Sequence, residues 1–435
     1  MVKKNTAMAE RDQIVVDVKL LGSSFEDMMA EPLAMALNAS IFKTPKILLR
    51  HNESAYIPHA FSFGPFHCKN EQLKLTQRIK WKYMQGILRR SPDPHLKWRE
   101  LVDAIASLKD PARQCYAGSI DLDDREFIEV LVLDGCFIIE LFRKDCDILP
   151  KEPDDPIFAM SCFLEYLNHD LILLENQIPW LVLERLFSLT MAPDSERKSL
   201  IMVTLEYFAN IFSSKKPDET KPEQFEVRNI KHILDLLRHS LVLPLEKGYK
   251  CSNRKREWDI CPSAMTLQES GIKLQRVNSA SILDIKFRNG VLEIPPLLIQ
   301  ETTETLFRNL ISFEQCCPNY EPIVTSYAKL MDSLIDTNKD VKLLFEYHLI
   351  DNWLNIGDVT QFFKKLYYDA RVKNFYYLPV CQEVNLYCRH WRSRLRYAYT
   401  HRYCGSPWAI VSQVVGTILL ILAILQTLFS SPPFK

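Results

Sequence analysis

The sequence predicts a mainly α-helical protein: one large helical domain with one short β-hairpin, at about residues 282–294, and a C-terminal single transmembrane helix. Three observations lead to this prediction. Apolar residues recur every three to four positions through most of the chain, which is the period of an amphipathic helix. One stretch alternates between apolar and charged residues before an Asn-Gly pair, which is typical of a hairpin. Residues 408–429 carry no charge.

The N-terminal part is expected to contain a mobile leader and then an ordered loop. Residues 1–24 have two lysines but no apolar segment of signal-peptide length, so we expect no secretory signal. A short helix is predicted at 25–38, and the helical domain is predicted to extend over 25–400. Three prolines and Gly64 make residues 41–70 a loop rather than a helix.

The strongest helical patterns follow this loop. Residues 73–90 place apolar side chains on one helix face, and residues 125–144 are apolar nearly all round, which indicates the central helix of a core. A later helix must break at Pro179. The amides of Asn176 and Gln177 stand at this break, where they could cap free backbone groups or bind a ligand; we favour capping.

Two charged stretches, 213–226 and 246–262, are predicted to be mobile linkers because they contain few apolar residues. Further helices are predicted at 229–243, 301–316, 319–335, 338–350 and 357–368, followed by an arm at 380–402. In the hairpin, Leu283, Ile285 and Phe287 alternate with charged residues. Asn289-Gly290 then supplies the turn.

The uncharged segment runs from Trp408 to Phe429, and residues 430–435 form a short tail. At a rise of 1.5 Å per residue, the segment would be about 33 Å long, enough to cross a bilayer core of about 30 Å. The alternative is a buried core helix. We favour a membrane span because core helices of this length rarely lack charge.

The charges near this segment predict its orientation. The basic juxtamembrane residues are Arg389, Arg392, Arg394, Arg396 and Arg402. Only Lys435 lies beyond the span, so the N-terminal domain is expected in the cytosol, as in a tail-anchored, single-pass protein. The arginines could also contact anionic lipid, or they could serve only as a topology signal. The length of the span favours the plasma membrane slightly over the endoplasmic reticulum.

Composition limits the partners and the redox chemistry. The chain has 54 basic and 54 acidic residues, which argues against nucleic-acid binding; we expect the lipid bilayer and protein partners instead. The 12 cysteines are irregularly spaced and are expected to be reduced in the cytosol. Asn38 and Asn52 begin glycosylation sequons that would be used only if the topology were inverted. Cys404 is a weak candidate for palmitoylation.

No nucleophile elbow, phosphate-binding loop, dinucleotide fingerprint or zinc-protease motif is present in the sequence. We therefore assign no catalytic residue, cofactor or metal. His59, His67 and Cys68 lie close together in the loop and could bind zinc, but their spacing matches no known finger and favours a role in loop packing.

Six carboxylates lie on or beside the most apolar helices: Asp134, Glu140, Glu165, Asp170, Glu175 and Glu184. They could serve general acid–base catalysis. Ion pairs explain them more simply, since Glu140 has Arg143 and Lys144 three and four residues later on the same helix, and Glu184 has Arg185 beside it.

Several stretches, in this order, resemble one family of plant proteins. They are IPHAFSFGPFHCKN (57–70), LVLDGCFIIELF (131–142), DLILLENQIPWLVLERLF (170–187), LDIKFRNGVLEIPPLLI (283–299), TETLFRNLISFEQC (303–316), MDSLIDTNKDVKLL (331–344) and CGSPWAIVSQVVGTILLILAILQT (404–427). The family is domain of unknown function 247, also described as UPF0481. The resemblance implies a plant-specific, largely helical protein with a C-terminal membrane helix and no assigned catalytic residues. Relatives often have a second histidine where this chain has Cys68, which would weaken any metal role.

Two functions are compatible with these features. The first is a membrane-tethered interaction or signalling scaffold. The second is a membrane-bound, hydrolase-like enzyme that uses carboxylates or the loop histidines. A pocket that brings Asp134, Glu140 or Glu175 within hydrogen-bond distance of a histidine would favour the enzyme. Carboxylates paired with lysine or arginine would favour the scaffold. The partner, the substrate and the oligomeric state do not follow from the sequence.

Overall fold

The computed structural model describes residues 39–191, 198–209, 211, 229–245, 260–352, 355–389 and 407–430. Several predictions lie outside these ranges. They concern the leader at 1–24, the helix at 25–38 with Asn38, the linker at 213–226, residues 390–406 with four of the five juxtamembrane arginines, and residues 431–435. The described part is mainly helical, as predicted.

The elements follow one another along the chain in two groups. The first group is β1 (Ile41–Phe42), α1 (Lys46–Leu49), α2 (Lys74–Arg89), α3 (Pro94–Ala106), α4 (Lys109–Gln114), β2 (Tyr116–Ala117), α5 (Asp124–Asp145), α6 (Pro156–Ala159), α7 (Ser161–Leu171), α8 (Trp180–Leu189), α9 (Leu200–Tyr207) and α10 (Ile233–Val242). The second group is α11 (Ala264–Glu269), β3 (Lys273–Arg276), β4 (Lys286–Arg288), β5 (Val291–Ile294), β6 (Leu297–Ile299), α12 (Glu301–Cys316), α13 (Ile323–Leu334), α14 (Asn338–Glu346), β7 (Ile350–Asn352), α15 (Ile356–Leu366), α16 (Leu378–Arg389) and α17 (Pro407–Ser430).

Helix α5 lies at the centre of the first half of the domain, as its apolar sequence predicted. Asp123 begins it with a capping box, in which its side chain accepts from the backbone N–H of Glu126 at 2.7 Å. Every residue from 131 to 144 is buried, and α2, α3 and α8 pack around the helix. At Gly135 a Cβ atom would lie 2.5 Å from Leu186 Cδ1, so the missing side chain lets α8 approach closely.

The predicted hairpin is confirmed. Strands β4 and β5 pair antiparallel, with Lys286 opposite Glu293 and Arg288 opposite Val291. The turn between them is Asn289-Gly290, with φ angles of 52° and 80°, which is the left-handed backbone that this pair favours. The sequence did not predict the third strand: β3 joins the other side of β5 in parallel. Two further sheets each contain one parallel pair, β1 with β2 and β6 with β7.

Prolines set several helix boundaries. Helix α7 ends at Leu171 and α8 begins at Trp180, directly after Pro179, so the predicted break is confirmed. Helix α13 begins at Ile323 rather than at the predicted residue 319, because the chain up to Pro322 is not helical.

The predicted linker at 246–262 was too long. Residues 246–259 lie outside the described ranges, but Cys261 is only 3% exposed and belongs to the main core. Asn385 on α16 donates a hydrogen bond from Nδ2 to the carbonyl oxygen of Ile260 at 3.1 Å. The end of this stretch is therefore packed against a helix that lies far along the chain.

Helix α17 covers the predicted span and adds one residue at each end, although the structure describes its side chains only at 411–412 and 414–427. Within the described part of the chain, no helix combines the length and the hydropathy that a bilayer crossing requires. This finding does not support the predicted span from Trp408 to Phe429, which stays a prediction from the sequence alone.

Candidate functional site

The side chains singled out in the sequence meet around the loop at residues 57–70, which we call the proline loop. The loop contains Pro58, Pro65 and Gly64, and most of it has neither helix nor strand structure. Its backbone N–H and C=O groups therefore need partners other than a neighbouring strand or their own helix. Side chains from α2, α5 and the α7–α8 connection supply those partners.

Asp170, near the end of α7, fixes the first part of the proline loop. Its Oδ1 accepts from the backbone N–H of His59 at 2.7 Å, and its Oδ2 accepts from Ala60 at 2.8 Å and from Phe61 at 2.7 Å. The ring of His169 lies 3.0 Å from Oδ1 through its Nδ1. Asp170 is fully buried, so these hydrogen bonds replace the water that its carboxylate has lost.

Asn176 and Gln177 cap backbone groups, as the sequence predicted. Asn176 accepts from the N–H of Phe63 at 2.6 Å and donates to the carbonyl oxygens of Phe61 and Asp170. Gln177 donates to the carbonyl oxygens of Leu171 and Leu173, at 2.7 and 2.8 Å. Asn176 thus serves the proline loop and α7, whereas Gln177 serves the end of α7 and, through its Oε1, accepts from the N–H of Leu234 on α10 at 3.2 Å. These contacts favour the capping role over ligand binding.

Lys80 on α2 and Asp134 on α5 form a fully buried ion pair below the proline loop. Their Nζ and Oδ1 atoms are 2.6 Å apart, and neither side chain is more than 3% exposed. Lys80 also donates to the carbonyl oxygen of Ser62, while Oδ2 of Asp134 accepts from the N–H of Gly64 at 3.0 Å. Burial raises the pKa of Asp134, and the Lys80 ammonium opposes that rise.

His59, His169 and Asp170 are the one group of possible metal ligands among the described residues whose ligand atoms all lie within 4.8 Å of one another. The two imidazole rings are stacked, with centroids 3.7 Å apart and planes 10° apart. Burial, and then the neighbouring ring, lowers the pKa of His59.

This geometry does not suit metal binding. A metal ion binds in the plane of an imidazole ring at about 2.0–2.1 Å from nitrogen, and two stacked rings point their lone pairs along parallel lines that do not meet. Each oxygen of Asp170 already accepts two hydrogen bonds. The cluster therefore holds the loop as it stands, and coordination would require at least one ring to turn.

The zinc alternative considered in the sequence, with His59, His67 and Cys68 as ligands, gains no support, because these three side chains do not form a group of possible metal ligands among the described residues. Nε2 of His67 lies 3.5 Å from Oε2 of Glu175, and both side chains are less than one-fifth exposed. The Oε1 atom of Glu175 accepts from the backbone N–H of Thr44 at 2.7 Å. The thiol of Cys68 donates to the carbonyl oxygen of Pro65.

Glu140 is paired as expected, but with a different partner. Its carboxylate forms a two-pronged ion pair with Arg90, the residue directly after α2, with both N–O distances at 2.7 Å. The predicted partners, Arg143 and Lys144, are themselves buried on α5 and turn elsewhere: Arg143 donates to backbone carbonyls at the end of α8, and Lys144 binds Asp155 at 2.7 Å. Because this part of α5 is buried on all sides, Glu140, Arg143 and Lys144 each contact a different neighbouring segment.

The other two carboxylates also lack a catalytic arrangement. Oε1 of Glu184 accepts from Nε1 of Trp180 at 3.2 Å, one turn earlier on α8, rather than pairing with Arg185. Glu165 on α7 faces Glu301 at the start of α12, and the hydrogen bond between the two carboxyl groups raises the pKa of Glu165.

A second buried centre, at Glu314 of α12, was not predicted from the sequence. Glu314 binds Arg238 of α10 at 3.0 Å and accepts from the N–H of Val324 and from the N–H and hydroxyl of Thr325 at the start of α13. It thus links three helices. In the sequence, Glu314 is visible only as an isolated acidic residue between Phe313 and two cysteines. An ordinary polar helix face explains that pattern equally well.

One surface cleft of about 470 Å³ lies beside the start of α12. Its walls carry side chains of both charges as well as amides: His51, Asn52, Gln300, Glu301, Glu304, Asp358, Gln361 and Lys365. Asn52, the second sequon residue, donates to Oε1 of Glu304 at 2.9 Å. A glycan at Asn52 would therefore have to break a contact within this cleft.

The fold and the buried hydrogen bonds and ion pairs around the proline loop define a class of protein. It is mainly helical, and buried polar side chains hold its proline loop. The chain belongs to the DUF247 family, described as plant protein of unknown function, whose profile matches residues 41–422. The family resemblance found in the sequence is thereby confirmed.

Two curated relatives come from Arabidopsis thaliana. UPF0481 protein At3g47200 is 27% identical over 418 residues, which cover 89% of this chain and 85% of the relative. Putative UPF0481 protein At3g02645 is 22% identical over 491 aligned positions, which cover 91% of this chain and 90% of the relative. No solved structure is significantly similar to this chain.

Proposed function

We propose that this protein is a membrane-anchored interaction or signalling scaffold, with its helical domain in the cytosol and α17 in the bilayer. The observation that carries the proposal is the exposure of α17. Ten of its apolar side chains are 43–64% exposed: Val411, Val414, Val415, Ile418, Leu419, Leu420, Ile421, Leu422, Ile424 and Leu425. Exposed apolar area of this extent requires an apolar environment.

The distribution of these side chains favours a bilayer over a protein groove. The five consecutive residues from Ile418 to Leu422 cover every face of the helix, whereas a groove would need one apolar stripe only. The helix has 24 residues and is therefore about 36 Å long, so its length alone would suit a bilayer core with some tilt, although no described helix meets both the length and the hydropathy of a span. The hydroxyl of Thr427 donates to the carbonyl oxygen of Ala423 at 2.6 Å, so this polar group is satisfied within the helix.

The orientation follows from the arginines that precede the span. Positive residues favour the cytosolic side of a membrane, which places the helical domain there. Arg389, the first of the five, is exposed at the end of α16. The length of the helix supports the plasma membrane over the thinner endoplasmic reticulum membrane, although the energy of such a mismatch is small.

A scaffold role, rather than catalysis, is supported by the state of the carboxylates. Asp134 and Glu140 are paired with Lys80 and Arg90, and Asp170 binds three backbone N–H groups. A general acid or base must be able to exchange a proton with a substrate. These three carboxylates are committed to the fold instead.

Membrane fractionation tests the anchor. The full chain should stay in the membrane pellet after alkaline carbonate washing, and deletion of residues 405–431 should release a folded, soluble domain. The double variant Leu419→Arg/Leu422→Arg should reduce pelleting at least tenfold, because two arginines at the centre of a span cost several kcal/mol.

The matched control is Leu75→Arg/Leu96→Arg, which changes two exposed leucines of the domain in the same way and should leave pelleting unchanged. Aggregation of the truncated chain, together with a full chain that is monodisperse without detergent, would mean that α17 belongs to the protein core. The anchor would then be rejected.

One observation favours the second candidate function, a hydrolase-like enzyme: Nε2 of His67 lies 3.5 Å from Oε2 of Glu175, close enough for an ion pair although the two atoms form no hydrogen bond. We expect the full chain to hydrolyse model esters no faster than its His67→Ala variant does. Hydrolysis that falls a hundredfold in His67→Ala but persists in His95→Ala, a change at an exposed histidine of α3, would instead support the enzyme.

A further inference from the structure

Three of the cysteines meet where the C-terminal part of the domain closes onto an earlier segment. Cys381 and Cys388 lie on α16 with Asn385 between them, and spacings of four and three residues place all three on one helix face. Asn385 donates to the carbonyl oxygen of Ile260 at 3.1 Å. This hydrogen bond sets Cys261 directly against the same face.

The thiols of Cys261 and Cys381 are near enough to each other to hydrogen-bond, and Cys388 is near enough to act on Cys261 electrostatically. All three side chains are buried, at 3%, 0% and 7% exposure respectively. Thiols in hydrogen-bond contact are close to the separation from which a disulfide can form with small side-chain rotations.

We propose that Cys261 and Cys381 form a disulfide under oxidising conditions and that this disulfide ties α16 to the segment before α11. With glutathione disulfide as oxidant, one thiol loses its proton and attacks a sulfur, which releases one glutathione. The second thiol loses its proton and displaces the other glutathione from the mixed disulfide. Two cysteine thiols are thereby oxidised, and one glutathione disulfide is reduced to two glutathione molecules.

Oxidation should be slow in the native protein. The hydrogen bond with Cys381, together with burial, raises the pKa of Cys261 well above its usual range, so little thiolate is present at neutral pH. The oxidant also reaches the pair only when α16 moves, and helix ends open more easily than helix centres. Cys162 is exposed, so the oxidant reaches it without any movement of the fold, and it provides an internal reference.

The proposed disulfide would restrain α16, the last described helix before α17. In a reducing cytosol the pair would stay as thiols, whereas in an oxidising compartment it would close. This chemistry is independent of the proposed function, since the purified chain can perform it by itself.

The test is peptide mapping of the purified full chain after treatment with glutathione disulfide, with the remaining thiols alkylated before digestion. We expect a linked peptide pair that contains Cys261 and Cys381, formed at least about tenfold more slowly than the glutathione adduct of Cys162. Low urea should speed closure, because it favours opening of the helix. The Cys388→Ser variant should keep the link and Cys381→Ser should lose it.

Mapping of the unmutated chain needs no variant to fold, so a loss of stability in Cys381→Ser cannot obscure the result. The proposal is overturned if Cys162 is fully modified while Cys261 and Cys381 both remain alkylated in low urea. It is equally overturned if Cys261 is linked to Cys388.

Discussion

A single buried carboxylate, Asp170, determines the conformation of the first part of the proline loop. It accepts hydrogen bonds from three consecutive N–H groups, at residues 59, 60 and 61, and lies 3.0 Å from Nδ1 of His169. A turn of this kind cannot be stabilised by its own backbone, because its N–H groups all point in one direction. The nearby stacking of His59 on His169 is thus part of the same support.

We therefore predict that Asp170→Ala lowers the free energy of unfolding by about 3–5 kcal/mol, because one buried and two partly buried N–H groups and one imidazole lose their acceptor. Asp170→Asn should cost less, since an amide oxygen can still accept from the backbone. Urea denaturation of the detergent-solubilised chain measures both values. Asp121→Ala, at a fully exposed aspartate, is the control and should change stability by less than about 0.5 kcal/mol. An equally small effect of Asp170→Ala would contradict this role.

His232, at the start of α10, should make stability depend on pH. Its Nε2 lies 3.0 Å from the carbonyl oxygen of Ser40, and its Nδ1 accepts from the N–H of Asp235. Burial lowers its pKa from 6.5 to about 4. The unfolded chain therefore takes up a proton at a higher pH than the folded chain does.

The contribution of the neutral, buried His232 to the free energy of unfolding is fully present above pH 6.5. It is lost as the pH falls from 6.5 toward 4. The loss should amount to on the order of 3 kcal/mol, from about 1.4 kcal/mol per pKa unit. Denaturation midpoints of the wild-type chain and of His232→Gln, measured across this range, isolate the contribution. Parallel pH profiles for the two proteins would show that His232 does not supply it.

At the scale of elements, Lys80 and Asp134 join α2 to α5 beneath the proline loop. Lys80→Met should destabilise the protein by about 3–5 kcal/mol, because it leaves Asp134 buried without its cation. Adding Asp134→Asn should restore part of this loss. The matched control lies two residues further along α2: Lys82→Met removes an exposed pair with Asp154 and should cost at most about 1 kcal/mol. Equal effects in thermal unfolding would contradict the buried pair's importance.

Gly64 lies close against the α7–α8 connection. Its φ is 71°, and a Cβ atom there would lie 2.7 Å from the carbonyl oxygen of Gln177 and 2.9 Å from the hydroxyl of Tyr116. Gly118 also has a positive φ, of 113°, but a Cβ atom there would meet nothing within 4 Å.

A comparison of alanine variants at these two glycines therefore separates the cost of backbone strain from the cost of crowding. Gly118→Ala should cost about 1–2 kcal/mol through its backbone alone. Gly64→Ala should cost at least about 2 kcal/mol more, because a backbone carbonyl cannot move aside easily. Urea denaturation of both variants measures the difference, and equal losses of stability would mean that the loop can shift away.

The sequence predicted elements with strong local signals and missed those that depend on distant partners. The apolar helix at 125–144 and the hairpin turn at Asn289-Gly290 follow from pattern and backbone preference, and both are present. Strand β3 was missed because its four residues, Lys273–Arg276, acquire strand structure only by pairing with β5. Local sequence cannot indicate such pairing.

The same distinction applies to the candidate site. The capping role of Asn176 could be predicted because the helix break is visible in the sequence. The partner of Glu140 could not, because Arg90 lies at the end of another helix, 50 residues away. Spacing along one helix predicted Arg143 instead, and burial of α5 directs that arginine to backbone carbonyls.

At the scale of the whole molecule, a helical domain held together by buried polar side chains is followed by an exposed apolar helix. The domain's main core extends from Ile41 to Cys388. The ten exposed apolar side chains of α17 stand apart from that core. This division is why removal of residues 405–431 should leave the domain folded.

Protease protection is the measurement that tests the proposed anchor and its orientation most directly. The full chain, with a tag at its N-terminus, would be expressed into sealed microsomes and treated with protease with and without detergent. We predict that the tag and the helical domain are digested without detergent. We also predict that the chain that has not been treated with protease stays bound to the membrane through α17. Protection of the domain until detergent is added would contradict the cytosolic orientation, and release of the untreated chain by carbonate would contradict the anchor.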